Sequence, residues 1–225
     1  MTSGCAIRYN DGWILGSDTL STRIDKQDIS YDLEAIANYK RVAKIGFFNP
    51  YIWYISAGYS IPNKTFELSN LPEYEDAHLL PVEMFIDNDN PYFKSERAFI
   101  VTGLTEKQEV KAFAKDELKE AKPLTLYGCI GSGAPRMLRS LASHFVSHCN
   151  VDIIDKKEAM EICEMMLKHS VNYDKHSCEP FEFVVLESDG FEFHVATDFL
   201  MDRITTLQKI DDFLKDFYKI YDKRE

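Results

Sequence analysis

Positive charge is scarce in this chain: 26 Lys and Arg stand against 37 Asp and Glu in 225 residues, a formal net charge of −11. A surface of that sign repels a phosphate backbone, so nucleic acid is not an expected partner. Long apolar runs are missing too, which removes a bilayer-spanning helix and leaves no membrane partner expected. The amino terminus has no basic segment leading into a long apolar core, so no secretory signal is read and the expected compartment is cytoplasmic. The five cysteines, Cys5, Cys129, Cys149, Cys163 and Cys178, are odd in number and contain no Cys-x-x-Cys pair. That pattern fits reduced, mostly buried thiols and excludes a disulfide framework or a structural zinc. The glycine-rich stretch Gly128–Gly133 is not followed by the Lys that a phosphate-binding loop requires, so nucleotide binding is not expected. His144 and His148 lie one helical turn apart without a third ligand at useful spacing, so no metal is expected either, nor any other cofactor.

What is present is apolar and patterned. Hydrophobic residues make up 45% of the chain and aromatic ones 13%, enough to exclude disorder and to fill one domain over residues 1–225. The strongest local signal opens the chain: an apolar run, Asp11-Gly12, and a second apolar run to Leu15. Such a turn between β-branched and aromatic residues predicts a hairpin. Ahead of it stand only Met1 and Thr2. Thr2 is small enough for an aminopeptidase to remove the initiator Met and expose it. A terminal Thr holds a hydroxyl beside its own α-amine, whose pKa of ~7.7–8.0 suits a general base. Thr2 is therefore a candidate nucleophile.

Further motifs follow in order. The second strand of the hairpin ends in Gly16-Ser17-Asp18, then a polar segment leads to Tyr39-Lys40-Arg41-Val42-Ala43-Lys44-Ile45-Gly46. Residues 47–58 form a dense aromatic and aliphatic stretch closing in Ser56-Ala57-Gly58, read as one buried strand. Between residues 59 and 97, Pro62, Pro72, Pro81 and Pro91 leave room only for short helices, around Thr65–Leu71 and Val82–Ile86. Strands are expected at 98–103, 109–114 and 124–127. After them come the turn Gly131-Ser132-Gly133-Ala134-Pro135 and two amphipathic helices, the first through Met137, Leu141 and Phe145, the second through Ala159, Ile162, Cys163, Met166 and Leu167. Asp174 and Ser177 follow the second helix and precede a strand at 181–186 and the turn Asp189-Gly190. An amphipathic helix is expected over about 199–222.

In the order Thr2, Asp11-Gly12, Asp18, Gly-Ser-Gly with Ser132, then Asp174 and Ser177, the chain resembles proteasome β-subunits and their bacterial relatives, members of the N-terminal-nucleophile hydrolases. The resemblance covers about residues 2–58 and 98–195. It implies an α+β fold, a four-layer αββα sandwich of two antiparallel sheets. It also implies a threonine endopeptidase, in which Asp18 holds a cation beside the Thr2 hydroxyl and the Gly58 N–H forms the oxyanion hole. Ser132, Asp174 and Ser177 would orient the Thr2 amine and relay its proton. In the family a strand Lys supplies the cation; here the aligned position is Arg41, with Lys40 just before it and Lys44 a little after. Neighbouring strand residues face opposite ways, so either Lys40 or Arg41 points inward, or the site is impaired. Peptide or unfolded protein is the implied substrate, a homo-oligomeric ring or helical stack the implied assembly, and an ATP-dependent unfoldase a partner of some relatives. Two departures stand out: Arg41, and Cys178-Glu179-Pro180 where relatives have Gly-Gly after the Ser. Both favour an inactive structural subunit as the alternative. The absence of an extension before the first strand favours an active one, and an amidase acting on a small amide shares the same chemistry.

Overall fold

The computed structural model describes residues 3–22, 39–41, 44–49, 51–57, 81–86, 98–115, 120–147, 154–174 and 177–195. The opening hairpin forms as the Asp-Gly turn predicts, with β1 (Ser3–Tyr9) antiparallel to β2 (Gly12–Asp18). Then come β3 (Leu20–Thr22), β4 (Tyr39–Arg41), β5 (Ile45–Asn49), β6 (Ile52–Ala57) and the four-residue α1 (Val82–Phe85). The chain continues with β7 (Ala98–Leu104), β8 (Val110–Lys115), β9 (Lys122–Pro123), β10 (Tyr127–Gly131), α2 (Ala134–Ser147), α3 (Lys156–Tyr173), β11 (Phe181–Glu187) and β12 (Gly190–Val195). These build two antiparallel five-stranded sheets, β10-β1-β2-β11-β12 and β5-β6-β7-β8-β9, with β3 and β4 paired as a separate ribbon. The class is α+β.

Both faces of the first hairpin are buried, which explains its nearly unbroken apolar run. On one face Cys5, Ile7, Tyr9 and Ile14 pack under α2 and α3 with Met137, Leu141, Ile162, Cys163, Met166 and Leu167. On the other, Ala6, Trp13 and Leu15 meet Ile45, Trp53, Ile55 and Ile100 of the second sheet. The pleat thus sorts odd and even residues of β1 into two separate cores. Trp53, wholly buried, anchors the layer between the sheets; its ring lies 4.9 Å from that of Phe191 and 5.3 Å from that of Phe47. Burying such an aromatic contributes roughly 3 kcal/mol before any ring-ring term. The outer face of the second sheet meets α1, where Val82 packs on Ile52, Phe99 and Val101. Among the described residues no helix is long and apolar enough to cross a membrane.

Three expectations differ from the structure. The stretch read as one strand over 47–58 is a hairpin, β5 and β6, with its register shifting between Phe47 and Asn49; the Asn49-Pro50 dipeptide interrupts the run where periodicity alone carried it through. The segment from Tyr39 to Gly46, which the resemblance aligns with a single strand, is likewise divided, β4 pairing with β3 and β5 opening the second sheet. Third, in place of the strand expected at 124–127 there are two short ones, the second beginning at Tyr127. β9 closes the second sheet beside β8, and β10 crosses to pair with β1 in the first. Gly58, the segment Thr65–Leu71 and the C-terminal helix expected over 199–222 lie outside the described residues.

Candidate functional site

The start of β1 is where separate elements converge. Strand pairing sets Gly4 against Ser17, which brings the next residue, Ser3, to the end of β2. There the Ser3 backbone N–H donates to Asp18 Oδ1 at 2.7 Å, and the Ser17 hydroxyl lies 3.0 Å from the Asp18 carbonyl and 3.3 Å from that of Ser3. The same Asp18 oxygen receives the Lys44 ammonium at 2.7 Å. Lys44 is 6% exposed and Asp18 not at all, so this is a buried ion pair with little water to screen it. Burial pushes the Lys44 pKa below its ordinary value, opposed by the charge and hydrogen bond of Asp18 and then by the fields of Cys178 and Glu182. Glu182, fully buried on β11, accepts the backbone N–H groups of Lys44 and Ile45 at 3.4 Å each.

A second set of groups reaches Ser3 from the helical side. The apolar stripe of α3 runs through Ala159, Ile162, Cys163, Met166 and Leu167, and its next position is Ser170. Placed there, the Ser170 Oγ lies 2.6 Å from the Ser3 Oγ, and the Ser177 Oγ lies 2.5 Å from it on another side. One residue past α3, Asp174 donates its backbone N–H to the Ser170 carbonyl at 2.8 Å. Its Oδ2 accepts from Ser132 at 2.6 Å and from Ser177 at 3.1 Å.

Each hydroxyl has one proton to give, so these contacts have a direction. Ser177 spends its proton on Asp174, so it accepts from Ser3; Ser3 in turn accepts from Ser170. The hydroxyls all point toward the Asp174 carboxylate. Such a close array leaves no room for a side chain at residue 133. A Cβ there would fall 1.9 Å from the Ser170 Oγ and 2.0 Å from the Ser3 Oγ. The neighbouring Gly131 has φ of 87°, the left-handed region that glycine adopts without strain. Both flanking glycines of the Gly-Ser-Gly turn thus have a steric reason.

Of the residues singled out in the sequence, Asp18, Ser132, Asp174 and Ser177 are brought together around Ser3. Thr2 and Gly58 lie outside the described residues. Lys40 and Arg41 are on β4, whose described pairing is with β3, and their side chains are outside the described set. Among the described side chains, a cation that reaches Asp18 is Lys44, a residue placed only in passing by sequence. Ser3, Ser170, Gly133 and Glu182 were not marked. For Ser170 a signal existed: a hydroxyl on an otherwise apolar helical stripe. For Glu182 it was a carboxylate flanked by Phe181 and Phe183, at an alternate position with Val184 and Leu186, which face the second sheet.

Chemically, the assembly can hold one cation against a buried carboxylate and orient hydroxyl protons over a few ångströms, both beside the backbone of the first described residue. The sequence matches no protein-family model and no curated protein.

Proposed function

We propose that the chain is a threonine peptidase of the proteasome β-subunit kind, working through the amine and hydroxyl of Thr2 once Met1 has been removed, on a fold completed as a four-layer αββα sandwich. The observation that carries this reading is the meeting of two polar systems on Ser3, the Asp18–Lys44 pair at its N–H and the Ser170–Ser177–Asp174–Ser132 array at its hydroxyl. Thr2 is joined to that same Ser3 nitrogen by a single peptide bond. In this reading the Thr2 Oγ1 attacks the carbonyl carbon of a peptide bond while the Thr2 α-amine takes its proton. Lys44, held charged by Asp18, stabilises the oxygen as it becomes nucleophilic, the task first sought in Lys40 or Arg41. The amine then hands its proton to the departing peptide nitrogen, leaving an ester on Thr2. Water hydrolyses the ester and restores the hydroxyl. Asp174 and Ser177 orient the amine, and the Gly58 N–H supports the oxyanion. Self-assembly into a ring or stack, with an ATP-driven unfoldase feeding it, belongs to the same proposal.

A second reading has one specific feature in its favour. Cys178-Glu179-Pro180 replaces the Gly-Gly of active relatives, which suits a structural subunit without turnover. Fluorogenic peptide cleavage by wild type and by Thr2→Ala, together with intact mass, decides between them. Activity that requires Thr2 in a chain lacking Met1 supports the peptidase. A chain that keeps Met1 and cleaves nothing supports the structural subunit, and activity that survives Thr2→Ala removes Thr2 as nucleophile.

A further inference from the structure

A fully buried carboxylate on the inward face of an apolar strand is costly unless its oxygens are occupied. Glu182 is such a group. Its strand neighbours Val184 and Leu186 belong to the core between the two sheets, and it stands opposite Ser17 in the ladder with β2. It reaches across from the first sheet to the first residues of the second, the backbone N–H groups of Lys44 and Ile45 at 3.4 Å each. Lys44 itself leaves that segment in another direction, its ammonium 2.7 Å from Asp18.

We infer that Glu182 is a positioning residue for Lys44: its carboxylate ties the start of β5 to β11 and so fixes the backbone from which the Lys44 side chain reaches Asp18. The position has an electrostatic consequence. Among the described residues, the charged or titratable groups acting on Lys44 are Asp18 from β2, Glu182 from β11 and Cys178 from the segment before β11. Burial favours the neutral amine, and the two carboxylates oppose it. Removing the Glu182 charge therefore weakens the ammonium form. Its effect on Lys44 is independent of any reaction; its effect on turnover rests on the peptidase reading.

The test follows the Lys44 side chain directly by NMR of lysine labelled at Cε and Nζ, with the Lys44 resonance assigned by its loss in Lys44→Arg. In Glu182→Gln, which keeps an acceptor oxygen but no charge, the Lys44 titration midpoint is expected to move to lower pH. The alkaline limb of peptide cleavage is expected to move with it, because the ammonium is the working form. In Glu182→Asp the charge stays but falls one methylene short. Amide exchange at Lys44 and Ile45 is then expected to accelerate roughly tenfold, the loss of a hydrogen bond to a charged acceptor. A Lys44 midpoint that stays at its wild-type value in Glu182→Gln overturns the inference. Should that variant not fold, unchanged exchange in Glu182→Asp overturns it instead. A shifted midpoint in a protein that cleaves no peptide upholds the positioning role and removes the peptidase reading. Cleavage with an unmoved midpoint does the reverse.

Discussion

Replacing Lys44 by Met tests the buried pair most directly. Its partner Asp18 is wholly buried and the ammonium is 6% exposed at 2.7 Å, so the small values typical of exposed pairs do not apply. Met fills most of the same volume but leaves Asp18 charged in the core, with the Ser3 N–H still bonded to it. Removing one member of a buried pair costs about 3–5 kcal/mol, and the bonds Asp18 keeps, the one from Ser3 among them, argue for about 3. At 225 residues that corresponds to a loss of roughly 6–12 °C in melting temperature. The downward shift of the Lys44 pKa says that desolvation outweighs the attraction of its partners. A buried pair of this kind is a weak source of net stability. Asp18→Asn together with Lys44→Met should accordingly recover at least half of the loss, since no charge remains at Asp18. Urea unfolding at constant slope reads both numbers. On the peptidase reading, Lys44→Met also lowers turnover by about a hundredfold or more, and by more than Lys40→Met or Arg41→Met. The reasoning fails if Lys44→Met costs less than about 1 kcal/mol, the behaviour of a screened pair, or if Arg41→Met is the more damaging change.

Two further outcomes follow from the packing. Gly133→Ala forces a methyl to within 2.0 Å of two buried hydroxyl oxygens, so urea unfolding should show a loss of about 3 kcal/mol from overpacking and broken hydrogen bonds; a loss under about 1 kcal/mol would mean that Ser3 and Ser170 are not confined as described. Cys5 and Cys163 are wholly buried with their sulfurs 3.2 Å apart, and the bond between them and burial both raise the Cys5 pKa. Burial should keep alkylation at about pH 8 from both in the native protein and leave both open to it after denaturation, the raised pKa protecting Cys5 further because the thiolate is the reactive form; rapid native labelling of Cys5 by peptide mass analysis would contradict the packing of α3 on β1.

Local rules explain how much of the molecule was legible in advance. The Asp11-Gly12 hairpin, the paired strands β7 and β8, the helices α2 and α3 and the closing β11–β12 hairpin each rest on a turn residue or a periodicity contained within a few residues. Asp18, Ser132, Asp174 and Ser177 stood out through the resemblance to a family motif order; taken alone, each reads as a turn or cap at the end of such an element. The division of residues 45–57 into two strands and the crossing of β10 to the first sheet were not legible, since strand partnership depends on residues far apart in the chain.

By itself the sequence determined which segments alternate, which turn, and which polar residues end a strand or a helix, for these are short-range consequences of backbone sterics and side-chain burial. Only the tertiary structure decided that Lys44 reaches Asp18, that Ser170 of α3 meets Ser3 of β1, and that Glu182 spans the two sheets. Those choices are made by strand register and by the docking of helix on sheet, and the groups they join lie as far apart in the chain as 167 residues.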